Sequence, residues 1–319
     1  MANGNHKEKL AIVCIGIVLL LTILGIVVLI GTGNGKKPDS QDRLQEEILE
    51  YAEDEKNTEE EAQRIEDRQQ IEEGTAGQTE VLKMEPVKAA EQAGLDLKRI
   101  LSEMKGYWEA GNMEAVEDLA HLSRYLEASK LLAGTTRFYY MGGTDDTGQP
   151  QGKGLAIYAD NQYYYGDWEA GSRSGSGMWI KYYVYEDGLV DGLCLQHSYS
   201  GEWAGDLPHG KGAEHYDFVE ENLEKDKGYN RNFIGTFHQG LYHGEIYITN
   251  YYQGGNVKEW SGKANQGVWE PMGEKDAQGR YPVIVELKNK DNYQWIYEKE
   301  NKNAGVDGLI SAAKAGRIA

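Results

Sequence analysis

Cysteine, proline and phenylalanine are scarce in this chain of 319 residues. Its two cysteines are Cys14, which lies in an apolar run, and Cys194, which stands alone, so no disulfide framework is available. Only 6 prolines and 4 phenylalanines occur, against 40 glycines and 22 tyrosines. Glycine well above its usual share of about 7 %, combined with tyrosine, predicts many turns and half-buried aromatic strands.

A basic excess is also missing. The chain has 52 Asp and Glu against 33 Lys and Arg, a formal net charge of −19. Both the acidic segment 39–73 and the C-terminal part, residues 136–319, carry a negative net charge. Nucleic acids and anionic lipids attract basic surfaces. The sequence therefore predicts no nucleic-acid partner, and it argues against phospholipid binding by residues 136–319.

One apolar run dominates the N-terminal part. LAIVCIGIVLLLTILGIVVLI, residues 10–30, has no charged residue, and as a helix it would reach roughly 31 Å, the thickness of a hydrocarbon core. A cleaved signal peptide would have a shorter apolar region followed by small residues. We therefore expect a short tail over residues 1–9 and a transmembrane helix over residues 10–31. Flanking basic residues are nearly balanced, and the short N-terminus favours an extracytoplasmic bulk for this single-pass membrane chain.

A linker over residues 32–39 leads to an acidic segment, residues 40–73, which has many Glu and Gln and no glycine or proline. These residues favour a helix. Apolar residues recur there at heptad-like spacing, but Glu55 and Thr58 interrupt the seam. The pattern predicts an exposed helical stalk with a loose coiled-coil character, followed by a hinge over residues 74–85.

Residues 86–132 carry two helical patterns separated by a Gly-Asn pair, and they predict a helical hairpin. The apolar positions are Ala90, Leu97, Ile100, Leu101, Met104 and Trp108, then Met113, Val116, Leu119, Ala120 and Leu126. From Phe138 onward, short aromatic and β-branched runs alternate with glycine turns. This change of period predicts an all-β domain over residues 136–300. Residues 301–319 are expected to form a C-terminal tail.

The glycines of the β region are periodic. Three segments share the pattern YxGxWxxGxxxGxG, in which three positions follow the second aromatic residue by three, seven and nine residues. The members are Tyr164, Gly166, Trp168, Gly171, Gly175 and Gly177; Tyr199, Gly201, Trp203, Asp206, Gly210 and Gly212; and Phe233, Gly235, Phe237, Gly240, Gly244 and Ile246. Two degraded copies keep Gly152 and Gly154 before these segments, and Trp260, Gly262, Gly267 and Gly273 after them.

Each copy predicts a β-hairpin, because a strand, a turn and a second strand follow one another. Side chains alternate along a strand, so Tyr199, Gly201 and Trp203 share one face. The middle glycine leaves room for aromatic side chains of the neighbouring hairpin. The position three residues after the second aromatic suits a turn residue with positive φ, which Asp206 tolerates. One hairpin cannot bury its aromatic face, so the copies should stack into one antiparallel sheet.

The pattern closely resembles the MORN repeat (membrane occupation and recognition nexus) over residues 136–273. The resemblance implies an elongated single-layer sheet whose aromatics form the core, and a scaffolding or protein-interaction role. Long insertions between the copies, such as YDFVEENLEKDKGYNRN, depart from the shorter family unit. The expected fold class is α+β with a transmembrane anchor: a membrane helix, an acidic stalk, a helical hairpin and a single-layer antiparallel sheet of MORN-type hairpins.

Several residues that look like a chemical site are explained by the repeat. His209 and His243 occupy the same repeat position, so repeat phase accounts for them better than metal ligation does. The GKG segments at 152–154 and 210–212 lack the following helix that a phosphate-binding loop needs. Motifs of nucleophilic or metal-dependent hydrolysis are missing as well. The sequence predicts no enzyme, no catalytic residue, no metal and no cofactor.

Two functions remain open. In the first, the anchor and stalk hold a non-catalytic scaffold at the membrane, and the open face and edges of the sheet bind a protein partner or a second copy. In the second, the chain is a cell-envelope carbohydrate-binding module with YYYGDW and WIKYYVY as aromatic platforms. Hairpin repeats of bacterial cell-wall-binding domains lack the glycine pair seven and nine residues after the aromatic, which favours the first function.

Overall fold

The computed structural model of the chain describes residues 86–184 and 193–314. The predicted tail, transmembrane helix, linker, stalk and hinge, residues 1–85, lie outside the described residues. Within the described ranges, no helix has the length and apolar character needed to cross a membrane. The described chain begins with helices and continues as one long antiparallel sheet.

In the described residues before the sheet there are four short helices, where the sequence pattern predicted a helical hairpin. They are α1 (Pro86–Gln92), α2 (Leu97–Glu109), α3 (Met113–Ala120) and α4 (Ser123–Lys130). The first predicted helix is broken because Gly94 has a φ of 79° and Asp96 caps a new helix by accepting a hydrogen bond from the Arg99 amide at 3.0 Å. The second is broken at His121, whose amide donates to carbonyl oxygens of the preceding turn and closes α3.

Twelve antiparallel strands form one sheet. They are β1 (Tyr139–Thr144), β2 (Pro150–Tyr158), β3 (Gln162–Glu169), β4 (Ser172–Tyr182), β5 (Cys194–Ala204), β6 (Leu207–Phe218), β7 (Asn230–His238), β8 (Leu241–Tyr252), β9 (Asn256–Asn265), β10 (Val268–Trp269), β11 (Arg280–Glu286) and β12 (Tyr293–Tyr297). Strands β1 to β9 pair in chain order, β11 and β12 continue the sheet, and β10 pairs with β9 beside that path. The two edges of the sheet are therefore β1 and β12.

The expectation of a C-terminal tail is wrong for the part that the structure describes. A fifth helix, α5 (Asp307–Lys314), follows the sheet, and Val306 and Leu309 are buried. The segment is tied to a hairpin turn, because the Val306 amide donates to the Gly240 carbonyl at 2.9 Å. The physical reason is hydrophobic: these aliphatic side chains cover aromatic rings that a single layer of strands would leave in water.

Each repeat hairpin turns through two residues with positive φ. The φ values are 47° and 84° at Ala170 and Gly171, 56° and 69° at Gly205 and Asp206, and 50° and 81° at Gln239 and Gly240. Two successive positive φ values are typical of a type I′ turn, whose twist matches that of the flanking strands. The positive φ predicted at Asp206 is confirmed, whereas the same conformation at Ala170 and Gln239 was not predicted.

The sheet is not single-layered throughout. Over β1–β4, the helices α1–α4 cover one face, where Leu155, Ile157, Tyr163, Ile180 and Tyr182 join a cluster with Ile100, Met104, Val116, Leu119 and Leu132. The single-layer expectation is wrong there because these strands are apolar on both faces, and both faces must be covered. Over β5–β9 the same face continues with polar residues in register: Ser198, His215, Asn232, Thr249 and Glu259.

A row of glycines crosses the sheet from strand to strand. Directly paired neighbours on β1 to β7 are Gly142, Gly154, Gly166, Gly177, Gly201, Gly212 and Gly235, and the row continues as Ile246 and Gly262. A tyrosine ring occupies the space above a glycine pair: a Cβ at Gly177 would lie 2.3 Å from the Tyr164 hydroxyl oxygen. Tyr164 belongs to the same hairpin as this pair. The expectation that a neighbouring hairpin provides the ring is therefore wrong, because the ring leans along its own strand.

The first glycine of each G-x-G pair has a different role. Gly175, Gly210 and Gly244 have φ values of 59°, 90° and 79°, and each lies at a register shift within its hairpin. Such a glycine in the left-handed region forms a bulge that increases the local twist of the sheet. The pair thus combines one position that needs a positive φ with one that has no room for a Cβ.

Replacing Gly177 by alanine should destabilise the sheet, because the new Cβ must displace the Tyr164 ring. We expect a loss of about 1–3 kcal/mol in the free energy of unfolding, as for overpacking of a core. Gly106→Ala is the matched control: open space surrounds Gly106 in α2, so alanine should stabilise by about 0.5–1 kcal/mol. Urea unfolding followed by tryptophan fluorescence measures both variants, and effects of the same sign would contradict this account of the row.

Candidate functional site on the aromatic face

The aromatic residues of the repeats form a continuous ladder on one face of the sheet. Contacts with ring centroids 4.9–5.5 Å apart link, in order, Tyr140, Trp168, Tyr164, Trp203, Tyr199, Phe237 and Tyr242. These seven residues define the aromatic face. Most pairs meet edge to face, a geometry that contributes about 0.5–1.5 kcal/mol per pair beyond the burial of area. The ladder therefore binds consecutive hairpins to one another.

The polar ends of the ladder residues bond to backbone carbonyls. In the second copy the Tyr199 hydroxyl donates to the Glu202 carbonyl at 3.0 Å, and Trp203 Nε1 donates to the Gly177 carbonyl of the preceding copy at 3.0 Å. In the third copy phenylalanine stands at both aromatic positions, and Ile246 fills the place of the second glycine. The tyrosine and the second glycine are thus lost together, as expected if the ring is what requires the glycine.

The repeat positions named from the sequence have places in this geometry, except Gly273, which lies in a bend after β10. Gly171, Gly240 and Gly267 lie in the hairpin turns, and Gly152, Gly175, Gly210 and Gly244 have positive φ beside the glycine row. The row itself contains Gly154, Gly166, Gly177, Gly201, Gly212, Gly235 and Gly262. Phe233 and Trp260 lie in the row that contains Tyr199. The structure therefore brings these residues together as a packing system.

A buried carboxylate interrupts the aromatic face. Glu214 on β6 is 0 % exposed, and it lies in the row that holds Trp179 on β4 and Ile248 on β8. Burying a carboxylate costs several kcal/mol unless it is hydrogen-bonded or paired. The neighbouring copies show that an apolar side chain satisfies the repeat at this position.

Three donors surround the Glu214 carboxylate. His197 Nε2 lies 2.7 Å from Oε1, the Tyr216 hydroxyl donates to the same oxygen at 2.8 Å, and the Tyr242 hydroxyl donates to Oε2. Burial and the nearby carboxylate raise the pKa values of Tyr216 and Tyr242 well above 10, so both hydroxyls remain donors at physiological pH. Because a carboxylate oxygen accepts, His197 Nε2 is the donor of this hydrogen bond, and Nδ1 is the ring nitrogen left for another partner.

A second buried charge lies beside this cluster. Arg173 is 2 % exposed, and its Nη2 donates to the Asp206 carbonyl oxygen at 2.7 Å. Its guanidinium carbon lies 4.8 Å from the ring centroid of Trp203 and 5.5 Å from those of Tyr158 and Tyr164. The backbone amide and Nε of Arg173 also donate to Asp206 Oδ1, at 2.8 and 3.3 Å. Arg173 therefore links the first copy to the turn of the second, and the Asp206 carboxylate has a role that glycine could not fill.

The buried polar groups border a cavity of about 460 Å³ between the aromatic face and α5. His197 and Arg173 line it from the sheet, and residues of the first turns of α5 line it from the other side. A cavity of this size with convergent polar groups is typical of a small-molecule site. We treat this cavity as the candidate functional site.

The histidines and GKG segments that could suggest ion binding are parts of the sheet. In residues 86–184 and 193–314, no three His, Cys, Asp or Glu side chains are grouped as metal ligands. His209 and His243 flank His238, with ring centroids 5.0 and 5.9 Å from it. The GKG segments lie inside β2 and β6 and continue as strand rather than opening a helix.

A family comparison agrees with the repeat geometry. Residues 164–181, 199–217 and 233–245 match the family model of the MORN repeat. These three stretches are MORN repeats. No curated protein matches the chain significantly. The hairpins before and after the matched MORN stretches continue the glycine row of the sheet, so the architecture extends beyond the matched residues.

Two features of the MORN sheet were missed by sequence reasoning. Tyr140 and Gly142 take the tyrosine and glycine positions of the β1–β2 hairpin. Their Tyr-x-Gly spacing is present in the sequence, but the longer turn of this hairpin shifts the glycines that follow. Glu214 also left a signal, because it follows the second glycine of its copy by two residues, where Trp179 and Ile248 stand in the others. The partners of Glu214 lie on other strands or beside it, and no motif marks them.

The opposite face of the MORN sheet carries a polar network centred on His215. Its Nε2 lies 2.7 Å from the Asp217 carboxylate, and its Nδ1 lies 2.7 Å from the side-chain oxygen of Asn232. Both ring nitrogens face acceptors, which suits the doubly protonated ring. Burial opposes the charge, but the hydrogen bond and charge of Asp217 outweigh it, and the pKa of His215 is raised.

Because the folded state favours protonated His215, the stability of the protein should fall as the pH rises. The contribution is fully present below the unfolded histidine pKa of about 6.5 and is lost as the pH rises through the higher folded value. His215→Gln should remove this part of the pH dependence, and His121→Gln, at the exposed C-cap position after α3, is the control substitution outside this network. Urea unfolding at several pH values measures it. Parallel profiles for the wild type and His215→Gln would refute the assignment.

Proposed function

We propose that this protein is a membrane-anchored, non-catalytic interaction module whose MORN-repeat sheet binds a second protein chain, namely another copy of itself. The observation that carries the proposal is the edge strand β12. Strands at a sheet edge present unpaired N–H and C=O groups, and proteins usually protect them with charges, proline, bulges or a covering element.

Strand β12 itself has neither charge nor proline, although its pairing with β11 has a register shift between Pro282 and Ile284. It ends the strand order, and its sequence YQWIY contains no charge, proline or glycine. Trp295 and Tyr297 are each 38 % exposed. The opposite edge differs, because β1 contains two glycines and the Tyr139 hydroxyl donates to the Pro86 carbonyl of α1. Of the two edges, β12 is the better suited to pair with another strand.

The charges around β12 favour a second copy as the partner. Antiparallel pairing centred on Trp295 would bring Lys290 and Asp291, in the turn before β12, to the same end as Lys299 and Glu300 of the second copy, in the turn after it. The side chains of Lys299 and Glu300 are 79 % and 57 % exposed, so they are accessible to such a partner. A two-fold axis repeats this arrangement of charges on the other side of the interface.

A cysteine at position 295 tests this geometry in the full-length chain. In a Cys14→Ser, Cys194→Ser background, Trp295→Cys should form a disulfide-linked dimer on mild oxidation, because residue 295 would face itself across the two-fold axis. Leu195→Cys is the matched control, since Leu195 is 41 % exposed but lies on the interior strand β5. Non-reducing gel electrophoresis measures the dimer. A monomeric Trp295→Cys chain, or equal cross-linking of both variants, would overturn the proposed interface.

Membrane attachment is proposed from residues 10–31. This segment contains an uncharged apolar run long enough to span a bilayer, and the acidic segment 40–73 would hold the sheet away from the surface. The acidic balance of residues 136–319 favours attachment through the anchor over phospholipid binding by the MORN sheet. The short N-terminus favours an extracytoplasmic sheet.

Membrane fractions and protease treatment test the anchor and the orientation separately. The full-length chain should stay in the membrane fraction after alkaline carbonate washing, and a variant lacking residues 10–31 should be released. Protease added to intact cells should degrade the sheet while a cytoplasmic control protein stays intact. Release of the full-length chain would contradict the anchor. A sheet protected in intact cells but cut after lysis would contradict the orientation.

The alternative of an aromatic platform for polysaccharides keeps only the half-buried Tyr165 and Tyr183 of the described aromatic residues assigned to it. Within YYYGDW and WIKYYVY, the side chains of Tyr163, Tyr164, Trp179 and Tyr182 are at most 2 % exposed. Rings buried in the core are not available to stack on a sugar chain. The interaction module is therefore the function that we propose.

A further inference from the structure

Glu214 is a charged residue in an otherwise apolar row, and the repeat fold does not require a carboxylate at this position. The equivalent positions of other hairpins hold Ala156, Trp179 and Ile248, all of them buried. An apolar side chain would fill this core without a desolvated charge. A buried carboxylate at an apolar position, hydrogen-bonded to three donors, is typical of a functional site, because such sites contain residues that stability alone would not favour.

His197 connects Glu214 to the cavity. Its Nε2 is fixed by Glu214 at 2.7 Å, and its ring stacks on Tyr216 with centroids 4.0 Å apart. Gly308 of α5 approaches the ring closely: a Cβ there would lie 3.8 Å from His197 Nδ1 and 3.2 Å from Trp179. Glycine at this place lets α5 close the cavity beside His197 without a tight contact to Trp179.

Charged residues of both signs line the cavity. Arg137, Arg173 and Lys181 contribute positive charges, and Asp160 and Asp307 contribute negative ones. Such a lining does not select an ion of one sign. Its mixture of acceptors and donors suits a ligand with many hydroxyl groups, because each hydroxyl both donates and accepts.

The walls of the cavity fit the same class of ligand. The half-buried rings of Tyr158, Tyr183 and Tyr216 line the cavity, each with Arg173, Lys181 or His197 over one face, and their apolar ring atoms can contact the C–H groups of a sugar ring. A volume of about 460 Å³ lies within the range of small-molecule sites. We propose that the cavity binds a neutral mono- or disaccharide, that His197 Nδ1 and the Asp160 carboxylate, both on the cavity wall, accept hydrogen bonds from it, and that Glu214 is the positioning residue for His197. This site is separate from the β12 edge.

Saturation-transfer NMR and calorimetric titration of the full-length chain test the proposal. The probes are glucose, galactose, mannose, N-acetylglucosamine, maltose and cellobiose, with alanine and inorganic phosphate as zwitterionic and anionic counter-probes. At least one sugar should bind saturably. His197→Gln retains an N–H donor for Glu214 but lacks the ring acceptor, and Asp160→Asn keeps the left-handed turn, where φ is 58°. Each should weaken sugar binding at least tenfold, the loss of one good hydrogen bond to the ligand.

His215→Gln, on the opposite face of the sheet, is the matched control and should bind like the wild type. Unfolding midpoints measured in parallel identify any variant that fails to fold, and Asp160→Asn changes only an exposed turn. The proposal is overturned if no sugar binds the wild type, if only alanine or phosphate binds, or if folded Asp160→Asn binds the sugar as tightly as the wild type.

Discussion

The packing of a tyrosine ring flat against two glycines governs the geometry of the repeat sheet. The ring of Tyr164 occupies the space that side chains at Gly166 and Gly177 would need, so the glycine row follows from the position of the ring. The same ring meets Trp203 of the next copy with centroids 5.0 Å apart. Each hairpin thus prepares the surface on which the next one packs, as in other repeat proteins.

The spacing of glycines and aromatics was sufficient to predict the antiparallel hairpins and the positive φ at Asp206, because both depend on residues close in the chain. It could not assign Tyr164 to the glycines of its own hairpin, since alternation gives the face of a side chain but not its lean along the strand. Helices were predicted over residues 86–132, but not their division into four, because the apolar period continues past the capping residues, such as Asp96, that separate them.

The candidate site was predictable only in part. Glu214 is visible in the sequence as a charge at an apolar repeat position. His197 and Tyr242 lie on other strands, and their contacts with Glu214 depend on strand register. A sequence pattern does not predict this register, because insertions of different length separate the copies. Helix α5 was missed because eight residues give too little periodicity to distinguish a helix from a tail.

The order of the strands has a consequence for how the protein folds. Strands β1 to β9 each pair with the next strand in the chain, so the sheet can grow hairpin by hairpin from contacts that are local in sequence. The segment around Gly305 is different, because it returns to pair with Leu241, and α5 reaches back to Trp179. All strands precede α5 in the chain. During synthesis, the sheet is therefore assembled first, and the cavity gains its last wall only when α5 folds back onto it.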